Sequence, residues 1–176
     1  MSVPTGQTPV PTSLPTATVA TAPESSAAAA KPGRTPAEIL ADADNALTGQ
    51  RYADALTLLR PIADAGNSQA ALRLGDAYAE GHGVDRDLVA AQRWYEKAAL
   101  NGETGAQLKL GAMFAKGQGV PQNNNLAYVW YGTAARLGSA PAKAERDRIV
   151  PLLQPAEKDQ LDRLIASKVE AMAKKP

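Results

Sequence analysis

One histidine, His82, is the only imidazole the chain offers for acid–base or metal chemistry, and it lies between Gly81 and Gly83. A general base needs a neighbour that fixes its tautomer and shares its proton. The matching place further along holds Gln118, so this lone histidine in a glycine loop reads as a loop spacer. Asp85 and Asp87 form a carboxylate pair, but they precede an amphipathic stretch. There an acid satisfies free backbone N–H groups and complements the helix dipole, which makes both helix-start residues. Gly81-x-Gly83 follows no strand and is not a phosphate loop. No GxSxG, HExxH, Walker or dinucleotide fingerprint occurs. With no cysteine, a disulfide framework, a thiolate metal site and a thiol nucleophile are all excluded. Two aromatic pairs, Trp94-Tyr95 and Trp130-Tyr131, have the types that hold sugars or caged ligands. Their recurrence at a fixed period assigns them to packing instead. The chain therefore reads as a non-enzyme, with no cofactor and no metal expected.

The elements that position these residues have to be built without large side chains. Hydrophobic residues make up 44% of the chain but aromatics only 5%, with alanine abundant. Such a core depends on close approach between elements, as in helices packed through small residues. Lys and Arg total 19 against 18 Asp and Glu, a net charge of +1, and the signs are interspersed. Nucleic-acid binders rely on a basic excess to neutralise phosphates, so that class is set aside. No apolar run approaches the ~20 residues needed to cross a bilayer, so direct membrane insertion is not expected. Lys174-Lys175 at the end of the last helix is an ordinary C-terminal cation pair. The N-terminus has neither a charged nor an apolar signal region, so no signal peptide is expected in this chain.

Residues 1–34 scatter Pro4, Pro9, Pro11, Pro15, Pro23 and Pro32 among Thr, Ser, Val and Ala with no repeating apolar face. The segment is expected to be a disordered, semi-stiff linker, and Pro11 and Pro15, four apart, miss the PxxP spacing of a docking ligand. From Thr35 the pattern changes. Thr35-Pro36-Ala37-Glu38 is a capping box with proline at the first helical position. Gly49, Gly66, Gly102 and Gly138 each follow an amphipathic stretch, where a left-handed glycine would close a helix. The predicted helices are 36–48, 51–65, 68–80, 87–101, 104–116, 123–137, 140–152 and 155–173.

An internal repeat governs these helices. Ala70, Gly75, Gly81, Gly83, Val84, Trp94, Tyr95, Ala98, Ala99 and Gly102 recur 36 residues later, as Ala106, Gly111, Gly117, Gly119, Val120, Trp130, Tyr131, Ala134, Ala135 and Gly138. Ala70, Leu74, Gly75 and Tyr78 share one face of the first helix of this unit. A glycine there costs about 1 kcal/mol of helix propensity. The expected compensation is a close crossing, with the backbone of the second helix lying where a side chain would be. Gly81-His82-Gly83 makes a tight loop and Val84 plugs it. Ala91, Tyr95, Ala98 and Ala99 line the buried stripe of the second helix, and Trp94 covers its edge. One period earlier, Ala55, Leu59, Ala63 and Gly66 take the places of Ala91, Tyr95, Ala99 and Gly102, the trace of a degenerate unit. After Ala142 the pattern turns polar. Pro151 and Pro155 break it, and a last helix with Leu161, Leu164, Ile165, Val169 and Met172 is expected to seal the end.

These residues resemble the Sel-one-like repeat family, relatives of the tetratricopeptide repeat. Its pattern is A-x3-LG-x2-Y-x2-G-x-GV-x2-D-x3-A-x2-WY-x-KAA-x2-G. Residues 70–102 match it nearly throughout, including Asp87 and Lys97. Residues 106–138 depart from it, with Phe114 for tyrosine, Asn123 for aspartate and Gly132-Thr133 for Glu-Lys. The resemblance implies an all-α fold, an α/α solenoid of antiparallel helix pairs in a tetratricopeptide-like superhelix. It would comprise repeats at about 35–66, 67–102 and 103–138, with a cap over 139–176. It also implies a bacterial adaptor or scaffold, cytoplasmic or periplasmic, that binds another protein as a peptide or helix on a concave face. In the tetratricopeptide arrangement that face falls at Gln69, Leu72 and Asp76, then Leu108, Ala112 and Ala115. Two alternatives remain open: an envelope accessory that binds or acts on cell-wall glycan, and a spacer within a longer chain.

Overall fold

The computed structural model of the protein describes residues 33–174, so the expected linker lies, except for Gly33 and Arg34, outside the described residues. Arg34 belongs with the folded part, because its guanidinium pairs with Asp42. Eight α-helices and no strand occur among the described residues: α1 (Pro36–Thr48), α2 (Tyr52–Asp64), α3 (Ser68–Glu80), α4 (Leu88–Leu100), α5 (Thr104–Lys116), α6 (Asn124–Arg136), α7 (Ala140–Ile149) and α8 (Pro155–Ala173). A 3-10 turn (Val150–Leu152) lies between the last two.

The boundaries follow from capping chemistry. At Thr35 both arms of the capping box form, with Glu38 accepting from the Thr35 backbone N–H at 2.8 Å. Asp87 accepts from the N–H groups of Val89 and Ala90, both at 2.9 Å. Helices α2, α4 and α6 are one residue shorter at each end than the pattern predicts, since those end residues are the caps. Helix α7 stops at Ile149 rather than 152. Pro151 has no N–H to continue an α-helical ladder, and the chain tightens into the 3-10 turn. The first turn also departs from expectation. Gly49 has an ordinary φ of −81°, and the left-handed residue is Gln50, at φ 56°.

Helices pack as α1 on α2, α3 on α4 and α5 on α6, and each pair joins the next through α2 on α3 and α4 on α5. The core is a column of fully buried alanines and leucines, among them Ala55, Leu59, Ala70, Leu74, Ala98, Ala106, Leu110 and Ala134. Gly75 and Gly111 are buried in it, but the expected backbone-to-backbone crossing is corrected in its detail. A Cβ on Gly75 would stand 2.5 Å from Tyr95 Cδ1, and one on Gly111 2.6 Å from Tyr131 Cε1. The space is taken by a tyrosine ring of the second helix. Backbone nests on backbone elsewhere. A Cβ on Gly83, at φ 74°, would meet the carbonyl carbon of Tyr52 at 3.0 Å and the nitrogen of Ala53 at 3.2 Å. One period on, Gly119 lies in the same way on Leu88. Each Gly-x-Gly loop thus rests on the start of the preceding pair's second helix, which fixes the step between pairs.

The end of the stack is closed differently from its middle. Helix α7 packs on α6, and α8 also packs on α6 rather than pairing with α7. Ile165 is the one buried residue of α8, and its side chain fills the place where a Cβ on Gly132 would be. Leu164, expected to help seal the end, is exposed instead. Seating α8 changes what α6 must present. On α4 the corresponding positions are Gln92, Arg93, Glu96 and Lys97, none of them buried, whereas Tyr128, Val129, Gly132 and Thr133 of α6 all are. The departures of residues 106–138 from the repeat pattern at these places are therefore the imprint of the cap.

Candidate functional site: the open face of α3 and α5

The six positions expected to meet a partner lie on partly exposed stripes of α3 and α5, and Leu72, Leu108, Ala112 and Ala115 among them also pack against the core. Gln69 is exposed, while Leu72, Asp76, Leu108, Ala112 and Ala115 are half-buried. Not all of them are at liberty. Asp76 accepts a hydrogen bond from the Tyr95 hydroxyl at 2.7 Å and pairs with Lys109 Nζ at 2.9 Å. It joins α3 to α4 and to α5, and its expected role as a free partner contact is revised accordingly. Leu72 lies over Gly105, where a Cβ would come within 3.1 Å of its Cδ2, so it fills the seam between α3 and α5. Gln69, Leu108, Ala112 and Ala115 retain surface to offer.

Two residues that sequence reasoning missed organise this face. Arg73 of α3 reaches back to Asp44 of α1, with Nη2 at 2.7 Å from Oδ2, and Lys109 of α5 reaches back to Asp76 of α3. Arg73 and Lys109 stand 36 apart, so a basic residue at one repeat position clamps an acid on the preceding first helix twice in succession. That spacing was a signal available in the sequence. The ladder ends at α7, where Glu145 occupies the next such position and pairs with Arg148 at 2.8 Å. Partly exposed pairs of this kind contribute about 0.2–1 kcal/mol each, so they set register more than stability.

Two of the groups considered for catalysis, His82 and Asp87, have structural partners. His82 stacks on Tyr52 with ring centroids 4.6 Å apart, and its Nδ1 lies 3.1 Å from Glu80 Oε2. Asp87 caps α4, and Asp85 is exposed. The paired aromatics are packing elements, since Tyr95, Trp130 and Tyr131 are buried. Trp94 is half-buried with Lys97 Nζ 5.1 Å from its ring, and Lys168 Nζ covers Trp130 at 4.5 Å. Burial, then the bond to Asp76, pushes the Tyr95 phenol far up. Burial and the charge of Glu145 push Tyr131 up to about 12. Both phenols stay neutral in ordinary conditions. Among the described residues no group of three or more His, Asp and Glu side chains is arranged to hold a metal ion, and no helix is long and apolar enough to cross a membrane.

Stacked antiparallel helix pairs joined by Gly-x-Gly loops, with one stripe of the first helices left uncovered, define an α/α solenoid repeat protein. The Sel1 repeat model matches at residues 68–103 and 104–139. A Sel1 repeat protein from Oxalobacter formigenes has a similar structure, with a TM-score of 0.59 at 33% identity, over 64% of this chain and 88% of that one. The chain belongs to the Sel1 repeat family. A protective antigen present in uropathogenic Escherichia coli strains, displaying an SLR fold, is also similar, with a TM-score of 0.72 at 24% identity over 79% of this chain. The chain spans 32% of that antigen's length, and the likeness concerns the fold. No match was found among curated protein sequences.

Proposed function

We propose that the protein is a non-catalytic adaptor that holds a peptide or helix of a partner protein on the open face of α3 and α5. The observation that carries this reading is the uncovered stripe itself. Helix α3 packs on α2 and α4, and α5 packs on α4 and α6, while Gln69 is exposed and Leu108, Ala112 and Ala115, which also touch the core, keep part of their surface uncovered. A mixed surface of small apolar and polar groups, held rigid by the Asp44–Arg73 and Asp76–Lys109 clamps, loses little entropy on binding. Membership of the Sel1 repeat family supports the same role, since such repeats generally serve protein–protein interaction. Partner identity is testable by capture with the full chain. A Gln69→Arg/Ala112→Arg variant with an unchanged melting curve should lose the captured protein, and Arg93→Glu on the opposite side of the stack should keep it. Retention by the first variant, or loss by the second, moves the contact off this face.

A further inference from the structure

We propose that the cleft between α6, α7 and α8 is a binding site for a compact tetrahedral oxyanion, a phosphate group. The cleft has a volume of about 330 Å³, with Gly132 at its floor and Arg136, Arg146 and Lys158 among its walls. Two carboxylates, Asp147 and Asp162, also line it. Both already accept from neighbouring side chains. Asp162 accepts from the Tyr128 hydroxyl and from Lys158 Nζ, each at 2.7 Å. Asp147 accepts from Arg146 Nε and Nη2 and from Lys143 Nζ. What stays open is donor capacity. The Arg136 side chain makes no hydrogen bond or ion pair among the described residues, Arg146 keeps its Nη1, and Lys158, bonded to Asp162 and Tyr128, keeps one ammonium proton. Arg136 acts on Asp162, and Arg146 and Lys158 on Tyr128, so all three cations bear on groups that line the one cleft.

This arrangement is not inherited from the repeat. Tyr128, Gly132 and Arg136 stand where the preceding pair has Gln92, Glu96 and Leu100. There Gln92 donates to Glu96 at 2.9 Å, and an acid occupies the place of the glycine floor. The last pair has thus exchanged an acid for a glycine that seats Ile165, and an exposed leucine for an arginine. Seating α8 accounts for the glycine but not for the arginine. The three cations come from three different helices and line one cleft. A planar carboxylate is met by one bidentate fork, whereas a phosphate offers oxygens on several sides and up to about two negative charges.

The site is tested on the full chain by following amide chemical shifts during titration with inorganic phosphate, a phosphoserine peptide and acetate at matched ionic strength. Saturable shifts centred on Gly132, Arg136 and Arg146 are expected with a phosphate, and acetate should bind about tenfold more weakly. Arg136→Gln, which breaks no internal hydrogen bond, should weaken phosphate about tenfold with little change in melting temperature, while Arg93→Gln on α4 should have no effect. Tighter binding of the inorganic ion assigns a free anion, and tighter binding of the peptide assigns a phosphorylated partner residue. Shifts that never saturate and spread over all surface cations, acetate equal to phosphate, or an indifferent Arg136→Gln would each overturn the proposal.

Discussion

Replacing Gly75 by alanine sets two opposed effects against each other, and the structure decides which wins. In the interior of α3 the change gains about 1 kcal/mol of helix propensity. The new methyl, however, would lie 2.5 Å from Tyr95 Cδ1. Ordinary carbon–carbon contact is about 3.5–4.0 Å, so the ring must retreat by about 1 Å. Tyr95 cannot do so freely. It is 3% exposed, and its hydroxyl is fixed 2.7 Å from Asp76. Overpacking of a rigid group costs about 1–3 kcal/mol, and distorting the hydrogen bond adds about 1 kcal/mol. The net expectation is a loss of about 2 kcal/mol in urea unfolding, seen as a lower midpoint at constant slope. In a Tyr95→Leu background the obstruction is gone, and the same Gly75→Ala change should stabilise by up to about 1 kcal/mol. This reversal of sign is the signature of a ring held against a glycine. If Gly75→Ala stabilises the wild-type protein, or costs as much with leucine at position 95, the packing account is wrong.

Two further outcomes concern the cap. Ile165→Ala should release α8 from the Gly132 notch at a cost of about 2–4 kcal/mol, read as selective proteolysis within α8 while the 35–138 part stays resistant. Burial opposes the Asp162 charge, but hydrogen bonds from Lys158 and Tyr128 outweigh it and hold its carboxyl below the usual aspartate range. A depressed carboxyl stabilises fully above its unfolded pKa, and that contribution fades as pH falls through the folded value. Docking of α8 should therefore weaken below about pH 4, and Asp162→Asn should be less stable at neutral pH but lose less on acidification, as followed by amide exchange in α8.

Local chemistry and periodicity were legible in the residues alone. Capping groups such as Thr35 and Asp87 mark where helices begin, because the unpaired N–H groups of a first turn need an acceptor from the adjacent chain. The 36-residue recurrence of glycines and aromatics implied nested helix pairs, since glycine in a helix interior has to be offset by close packing. The pattern put the six expected contact positions on α3 and α5 but could not tell that Asp76 was engaged or that Leu72 fills a seam between them. Its partners Tyr95 and Lys109 lie on other helices, and sequence spacing specifies a residue's own helix face, not what stands opposite it.

The tertiary structure alone decided three matters. It showed that a ring, rather than backbone, fills the space at Gly75, that α8 docks on α6 and buries the face that α4 leaves half-open, and that Arg136, Arg146 and Lys158 meet in one cleft. Each depends on how far one helix slides and turns against another. That placement is fixed by the sum of many weak contacts along the whole stack, which no single stretch of sequence contains.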